Sequence, residues 1–280
     1  MLKNKSTFLL IFLLFAIPLA GAPEKVSPAE KKSVNKASFT VSSHEAVSLE
    51  GLWKLKLKDS MTYAGSVYND KNWRFTRVPG NILDIHPGYR GIAWYRACLR
   101  FSPGASKQYF VIRLGKISVA DEVYFNGNLI GRTGSITSQS DFAFDKTRYY
   151  LVPGHMINEE SENTLAVRVR GYLNDSFGMI WGTYSIGPAD VMHRQMMIDR
   201  ISEIFFVSLY LFVGIFFAIF SRLPTFLSRQ QLYFAFFSFI IAGYLFCIGQ
   251  VKYLITDSFF PFHMTQYIPV SYTHLRAHET

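Results

Sequence analysis

Two cysteines in 280 residues are too few for a disulfide framework. Their settings also make a pair unworkable, since Cys98 lies in a strand-like segment and Cys247 inside an uncharged apolar run. The sequence has no Gly-rich phosphate loop, no Ser nucleophile elbow and no Cys-centred catalytic set. His44, His86, His155, His193 and His263 are scattered, without Cys or acidic partners at zinc spacing. No metal and no cofactor is therefore expected. Charge of either sign is missing from 204–221 and from 230–251. Both gaps match the roughly 17 to 25 apolar residues needed to cross a bilayer.

What is present falls into consecutive regions. Lys3 and Lys5 precede an apolar run from Phe8 to Ile17, followed by Ala20, Gly21 and Ala22, the order of a secretory signal. Residues 1–22 are expected to be a signal peptide, either cleaved or kept as an anchor because Pro23 disfavours cutting at that point. Residues 23–43 have no apolar periodicity and are expected to be a flexible linker. Lys25, Lys31, Lys32 and Lys36 in that stretch contribute to the net charge of +9. With no aromatic residues among them, they describe a solvated tether, and no nucleic-acid partner is expected.

From 44 to 188, short apolar runs alternate with Gly, Asn, Asp and Pro, which predicts an all-β domain. "WYRACLRF" puts Tyr95, Ala97, Leu99 and Phe101 on one face, and Trp94, Arg96, Cys98 and Arg100 on a wetter one. Phe110, Ile112 and Leu114 in "QYFVIRLG", and Leu165, Val167 and Val169 in "NTLAVRVRG", repeat the pattern. Asn126-Gly127 between two apolar arms predicts a tight hairpin. A two-layer sandwich accounts for these features.

Beyond the sandwich, residues 189–203 predict a juxtamembrane helix, with Asp190 four residues before Arg194. Residues 204–221 and 230–251 predict two transmembrane helices, 222–229 a cytoplasmic loop carrying Arg222 and Arg229, and 252–269 an outer loop or the start of a third span. The expected fold class is thus an all-β extracytoplasmic sandwich followed by α-helical transmembrane segments. The expected place is a bacterial inner membrane, with the sandwich on the periplasmic side and the lipid bilayer as a partner.

Six stretches carry a resemblance: "LEGLWKLKL", "NWRFTRVPGNI", "YRGIAWYRACLRF", "IRLGKISVADEVYFNGNLIGRTG", "FDKTRYYLVP" and "NTLAVRVRG". In this order the sequence resembles the N-terminal jelly-roll domain of family 2 glycoside hydrolases, a galactose-binding-like fold. The resemblance implies a sugar-binding-type sandwich. The stretch "SRQQLYFAFFSFIIAGYLFCIGQ" looks like the start of the bacterial seven-transmembrane receptors with diverse intracellular signalling modules. That resemblance implies a sensor in which binding outside biases helix packing and reports to a cytoplasmic module.

The leading expectation is therefore a fragment of a membrane receptor whose sandwich binds a carbohydrate, another small molecule or a periplasmic protein. The alternatives are a membrane-anchored relative of family 2 glycoside hydrolases and a structural envelope protein. No enzyme is expected within these residues, because a glycosidase needs two carboxyl groups across one bond. Asp121 and Glu122 point to opposite faces of a strand, and Glu159-Glu160 reads as polar loop, so all four are expected on solvated surface. The ligand-binding candidates are Tyr89, Arg90, Trp94 and Arg96, an aromatic plate beside hydrogen-bonding forks. Trp94 capping the core, with both arginines solvated or paired, is the other reading of the same residues. Asp141 and Asp145 are read as turn-forming or solvated, with calcium ligation as the alternative.

The last eleven residues, 270–280, place His274 and His278 four apart with Glu279 following, a metal-like helical spacing that lacks a third ligand. Reverse translation of this tail resembles sequencing-library adapter DNA read in frame. Residues 270–280 are accordingly expected to be an artefact.

Overall fold

The computed structural model describes residues 37–137, 144–171, 176–222 and 229–255. The signal segment, most of the linker, Asp141 and the His274/His278 tail lie outside the described residues. In chain order the strands are β1 (Ser38–Val41), β2 (Val47–Ser48), β3 (Gly51–Lys56), β4 (Arg74–Val78), β5 (Gly91–Phe101), β6 (Phe110–Leu114) and β7 (Lys116–Ser118). They continue with β8 (Ala120–Phe125), β9 (Asn128–Thr133), β10 (Arg148–Val152), β11 (Asn163–Gly171), β12 (Gly178–Trp181) and β13 (Ser185–Pro188). Two helices follow, α1 (Ala189–Phe220) and α2 (Arg229–Ile248). The protein is thus a mostly β-sheet domain with two long apolar helices.

The large sheet runs β4-β3-β5-β11-β8-β9, and a smaller one runs β10-β6-β13-β2. Strand β5 is the spine. One of its edges pairs antiparallel with β11 along its length, while the other is shared by β3 and, at its end, by β1 running parallel. Tyr95, Ala97, Leu99, Phe101, Phe110, Ile112, Leu114, Leu165, Val167 and Val169 all enter one core cluster. Both sheets therefore turn their period-2 apolar faces onto a shared interior. Asn126 (φ 49°) and Gly127 (φ 86°) both take positive φ and close the β8–β9 hairpin, as the Asn-Gly pair predicts.

The linker expectation for 23–43 is corrected at its end, where Ser38–Val41 is a strand on β5. Val41 is buried and Phe39 packs against the core, so two apolar residues two apart suffice to dock the segment. The stretch read as a juxtamembrane helix and the first apolar run are continuous. Residues 189–220 form one unbroken helix that starts directly after β13, with Ala189 N–H donating to Tyr109 O at 2.9 Å.

At about 1.5 Å per residue, the charge-free part of α1 is about 26 Å long, close to the roughly 30 Å of a hydrocarbon core. Helix α2 returns antiparallel to it: Gly214 meets the Phe239 ring, and the Phe217 and Phe234 ring centres lie 4.6 Å apart. The other faces are bare, with Phe212 67% and Phe236 66% exposed. By length and composition both helices could cross a membrane.

Candidate functional site

The expected ligand face on β5 is a second packed layer. The chain between β3 and β4, with a 3-10 turn at Met61–Ala64, folds over the outer face of the large sheet. There Tyr63, Ala64 and Trp73 join Trp94, Tyr124 and Ala166 in a cluster of their own. The Tyr63 ring meets Trp73 edge-on at 5.1 Å and Trp94 at 5.9 Å. Trp94 is 0% exposed and Arg96 3%. The reading of these two as a wet face open to a ligand is corrected. Strand alternation separates the faces of a sheet, but it does not show that a later segment covers the second face.

The polar groups of this layer are occupied. Trp94 Nε1 donates to Asp59 Oδ1 at 2.9 Å. Arg168 donates from Nε and Nη2 to the two Asp59 oxygens at 2.9 and 2.6 Å, and from Nη1 to Glu122 Oε2 at 2.9 Å. Arg96 donates to Asp70 Oδ2 at 2.9 Å and to the carbonyls of Tyr63 and Gly65, while Lys54 pairs with the other Asp70 oxygen. Burial alone would raise the Asp70 carboxyl, but the hydrogen bonds from Lys54 and Arg96 outweigh it and hold the group below its ordinary value near 3.8. Asp59 is likewise lowered, with Arg168 and Trp94 outweighing burial.

Glu160 is exposed, as read, but other acidic residues read as solvated surface are corrected. Asp121 and Glu122 do point to opposite faces, yet Asp121 is fully buried, receiving Arg148 Nε at 2.8 Å and Tyr150 OH at 2.5 Å. Burial raises the Asp121 carboxyl despite the nearby guanidinium. Glu122 accepts from Arg168 and Tyr124, and Glu159 accepts the backbone N–H groups of Gly104 and Ser106. Asp145 is neither solvated nor open to calcium, because its oxygens receive the Lys252 ammonium and the Tyr253 hydroxyl.

Of the four ligand candidates, only the Tyr89-Arg90 end lies at the surface. Tyr89 stacks on Phe177 at 5.5 Å and 6°, its hydroxyl donates to Ile92 O at 2.8 Å, and Arg90 is exposed. The turn before it brings Tyr89 N–H to His86 O at 3.2 Å. His86 in turn lines an open cleft of about 370 Å³ with Leu55, Lys56, Leu57, Asn72 and Arg74. Sequence reasoning passed over this set. Nothing in the sequence singles out Lys56 or Arg74, and His86 reads as one of several scattered histidines. The β3–β4 pairing sets Arg74 opposite Leu55, on the face away from the Lys56 side chain.

A second polar cluster lies between the β domain and the helices. Gln250 Nε2 donates to Asp145 O at 2.7 Å, and Thr147 N–H donates to Gln250 Oε1 at 2.8 Å. Glu203 on α1 accepts the N–H groups of Gln250 and Val251 at 2.7 and 3.0 Å, and Arg200 donates to Gln250 O. Arg113 on β6 pairs with Asp199 at 3.1 Å. Asp199, Arg200 and Glu203 on α1 thus hold the β domain and the end of α2 together.

No family profile matches the chain. A protein of Formosa agariphila assigned as a β-glucuronidase is 29% identical over 139 aligned positions, which cover 44% of this chain and 12% of that protein. Among solved structures, a Bacteroides uniformis β-glucuronidase is 21% identical with a TM-score of 0.43, covering 51% of this chain and 17% of its own. A family 2 glycoside hydrolase described as a β-glucuronidase is 17% identical with a TM-score of 0.44, covering 53% and 18%. The expectation of a non-enzyme is corrected by the sequence match, since the relative is assigned as an enzyme. The chain spans about an eighth of that relative's length, so a missing pair of catalytic carboxylates in these residues does not argue against catalysis.

Proposed function

We propose that this chain is the sugar-binding-type jelly-roll portion of a membrane-anchored relative of family 2 glycoside hydrolases, with the sandwich outside the membrane and α1 and α2 within it. The observation that carries the reading is the 29% identity to the Formosa agariphila protein. The two sheets around one core support the jelly-roll assignment. Bare apolar side chains along both helices support a lipid environment, because soluble surfaces rarely carry so large an apolar patch. In this reading the sandwich holds a saccharide near the His86–Arg90 turn while a separate catalytic domain acts on it.

The test is to read the gene from source DNA past codon 269 and assay the whole product on β-glucuronides. A downstream domain with two facing carboxylates and measurable hydrolysis is the expected result. The same sequencing decides whether the 270–280 tail is adapter-derived, since native DNA would then continue differently.

The receptor is a second reading, favoured by one feature: the β domain is hooked to both helices through Asp145, Gln250, Glu203 and Lys252. Five further spans followed by a kinase, cyclase or phosphatase module would replace the enzyme reading with this one.

A further inference from the structure

Of the four tryptophans, Trp53, Trp73 and Trp94 are buried, whereas Trp181, at the end of β12, is 58% exposed. Its ring is in neither of the two apolar clusters of the β domain. Among the described residues its aromatic neighbour is Phe144, met edge-on with ring centres 6.0 Å apart.

A chain of contacts sets the height of this ring against the helices. Phe144 precedes Asp145, whose backbone carbonyl accepts Gln250 Nε2 at 2.7 Å and whose carboxylate pairs with Lys252. Gln250 and Val251, just past the end of α2, donate their N–H groups to Glu203 on α1 at 2.7 and 3.0 Å. Glu203 is the last charged residue before the charge-free run of α1. Trp181 therefore stands beside the level at which both helices change from polar to wholly apolar. Ile201, within a turn of Glu203, and Leu254 and Ile255, just past Lys252, are exposed apolar side chains near the same level.

An indole has a broad apolar body and one N–H donor, which suits it to the zone where hydrocarbon gives way to headgroups and water. Lysines favour the same zone, because the stem can lie in grease while the ammonium stays wet. Lys116 is the register partner of Trp181 across the β7–β12 pair, and Lys146 Nζ lies 5.4 Å from the centre of the Tyr253 ring. The acids of this end, Asp145 and Glu203, are turned inward onto Lys252 and the backbone N–H groups. The indole is carried on a fixed backbone: a Cβ on Gly115 would lie 2.2 Å from Trp181 O, so the bend between β6 and β7 packs directly against it.

We propose that the Trp181–Phe144 end of the β domain sits in the headgroup layer of the bilayer that holds α1 and α2, with Trp181 as an interfacial anchor. The proposal rests on the membrane reading above and adds a second point of contact to it. With that contact the β domain is held against the lipid surface at one height, instead of swinging on its helices.

The experiment reads tryptophan emission from the full chain in phosphatidylcholine vesicles that carry a nitroxide either on the headgroup or far down the acyl chain. Because the other three tryptophans are buried, quenching by lipid reports Trp181. The headgroup nitroxide is expected to quench more strongly than the deep one, and Trp181→Phe to abolish that quenching. Phe212→Trp in the Trp181→Phe background places a reporter on an exposed position midway along the charge-free run of α1. Its emission is expected to be quenched chiefly by the deep nitroxide.

Parent emission quenched by aqueous iodide but by neither lipid overturns the proposal. So does quenching chiefly by the deep nitroxide, or lipid quenching that survives Trp181→Phe. The Phe212→Trp reporter separates the two readings. If the deep nitroxide quenches it while Trp181 stays unquenched, only the surface contact is lost; if neither reporter is quenched, the membrane reading falls as well.

Discussion

The Lys252 ammonium and the Asp145 carboxylate, 107 positions apart in the chain, form an ion pair in which the side chains are 0% and 2% exposed. Lys252 Nζ also donates to Cys247 O at 2.5 Å, at the end of α2, and Tyr253 OH donates to the second Asp145 oxygen. Two charges can be kept out of water only if each is matched and hydrogen-bonded, and this pair meets that condition by joining the β domain to the turn after α2. The joint makes the β domain and the helix pair a mechanically connected unit.

Removing one partner of this pair strands the other. Lys252→Met is expected to destabilise the joint by about 3 kcal/mol. The double variant Asp145→Leu/Lys252→Met should cost less than the single one, because no buried charge is left over. Hydrogen exchange at 144–148 and 249–253, with a double-mutant cycle on thermal stability, measures both quantities. Equal losses in the single and double variants would show that the pair is not coupled.

The outer layer predicts a pH dependence. Asp70 has a folded-state pKa below its ordinary value near 3.8. A lowered carboxylate contributes stability that is complete above the unfolded pKa and is lost as pH falls through the folded one. Asp70→Asn is therefore expected to be less stable than the parent at neutral pH, by about 2 to 3 kcal/mol since the pair is slightly exposed. The gap should begin to narrow below about pH 4, where the unfolded carboxyl takes up its proton, and close as pH falls through the lower folded value. Urea melts at pH 7 and pH 3 provide the comparison; a gap that does not change with pH would refute the linkage.

Two glycines separate backbone strain from crowding. Gly178 has φ +113°, and a Cβ there would lie 2.3 Å from the Tyr95 hydroxyl and 3.2 Å from Ile82 Cγ1. Gly88 has φ +75° with nothing within 4 Å of such a Cβ. Gly88→Ala should cost about 1 kcal/mol from the left-handed backbone alone. Gly178→Ala adds overpacking against the buried Tyr95 ring and should cost about 3 kcal/mol or more. Thermal melts of the two variants test the ordering.

The strands and their buried faces were legible in the sequence because strand periodicity is local. Every second residue of "WYRACLRF", "QYFVIRLG" and "NTLAVRVRG" reports the same side of one sheet, and Asn126-Gly127 marks its own turn. Strand β1 was missed because four residues with two apolar positions leave a weak signal beside a polar tether. Trp94 and Arg96 were misplaced for a different reason. Their face is covered by Tyr63 and Trp73 from a loop more than twenty residues upstream, and local patterning carries no information about such a contact.

The sequence by itself determined the two-faced strands, the turns, and the two charge-free helices with a charged stretch ahead of them, because each depends on residues within a few positions of one another. Only the tertiary structure decided which charges are neutralised. Arg96, Arg168, Asp121, Asp145 and Lys252 all find partners far away in the chain. Charge pairing acts through space over a few ångströms, so it follows from how the sheets and loops come together and not from the order of residues.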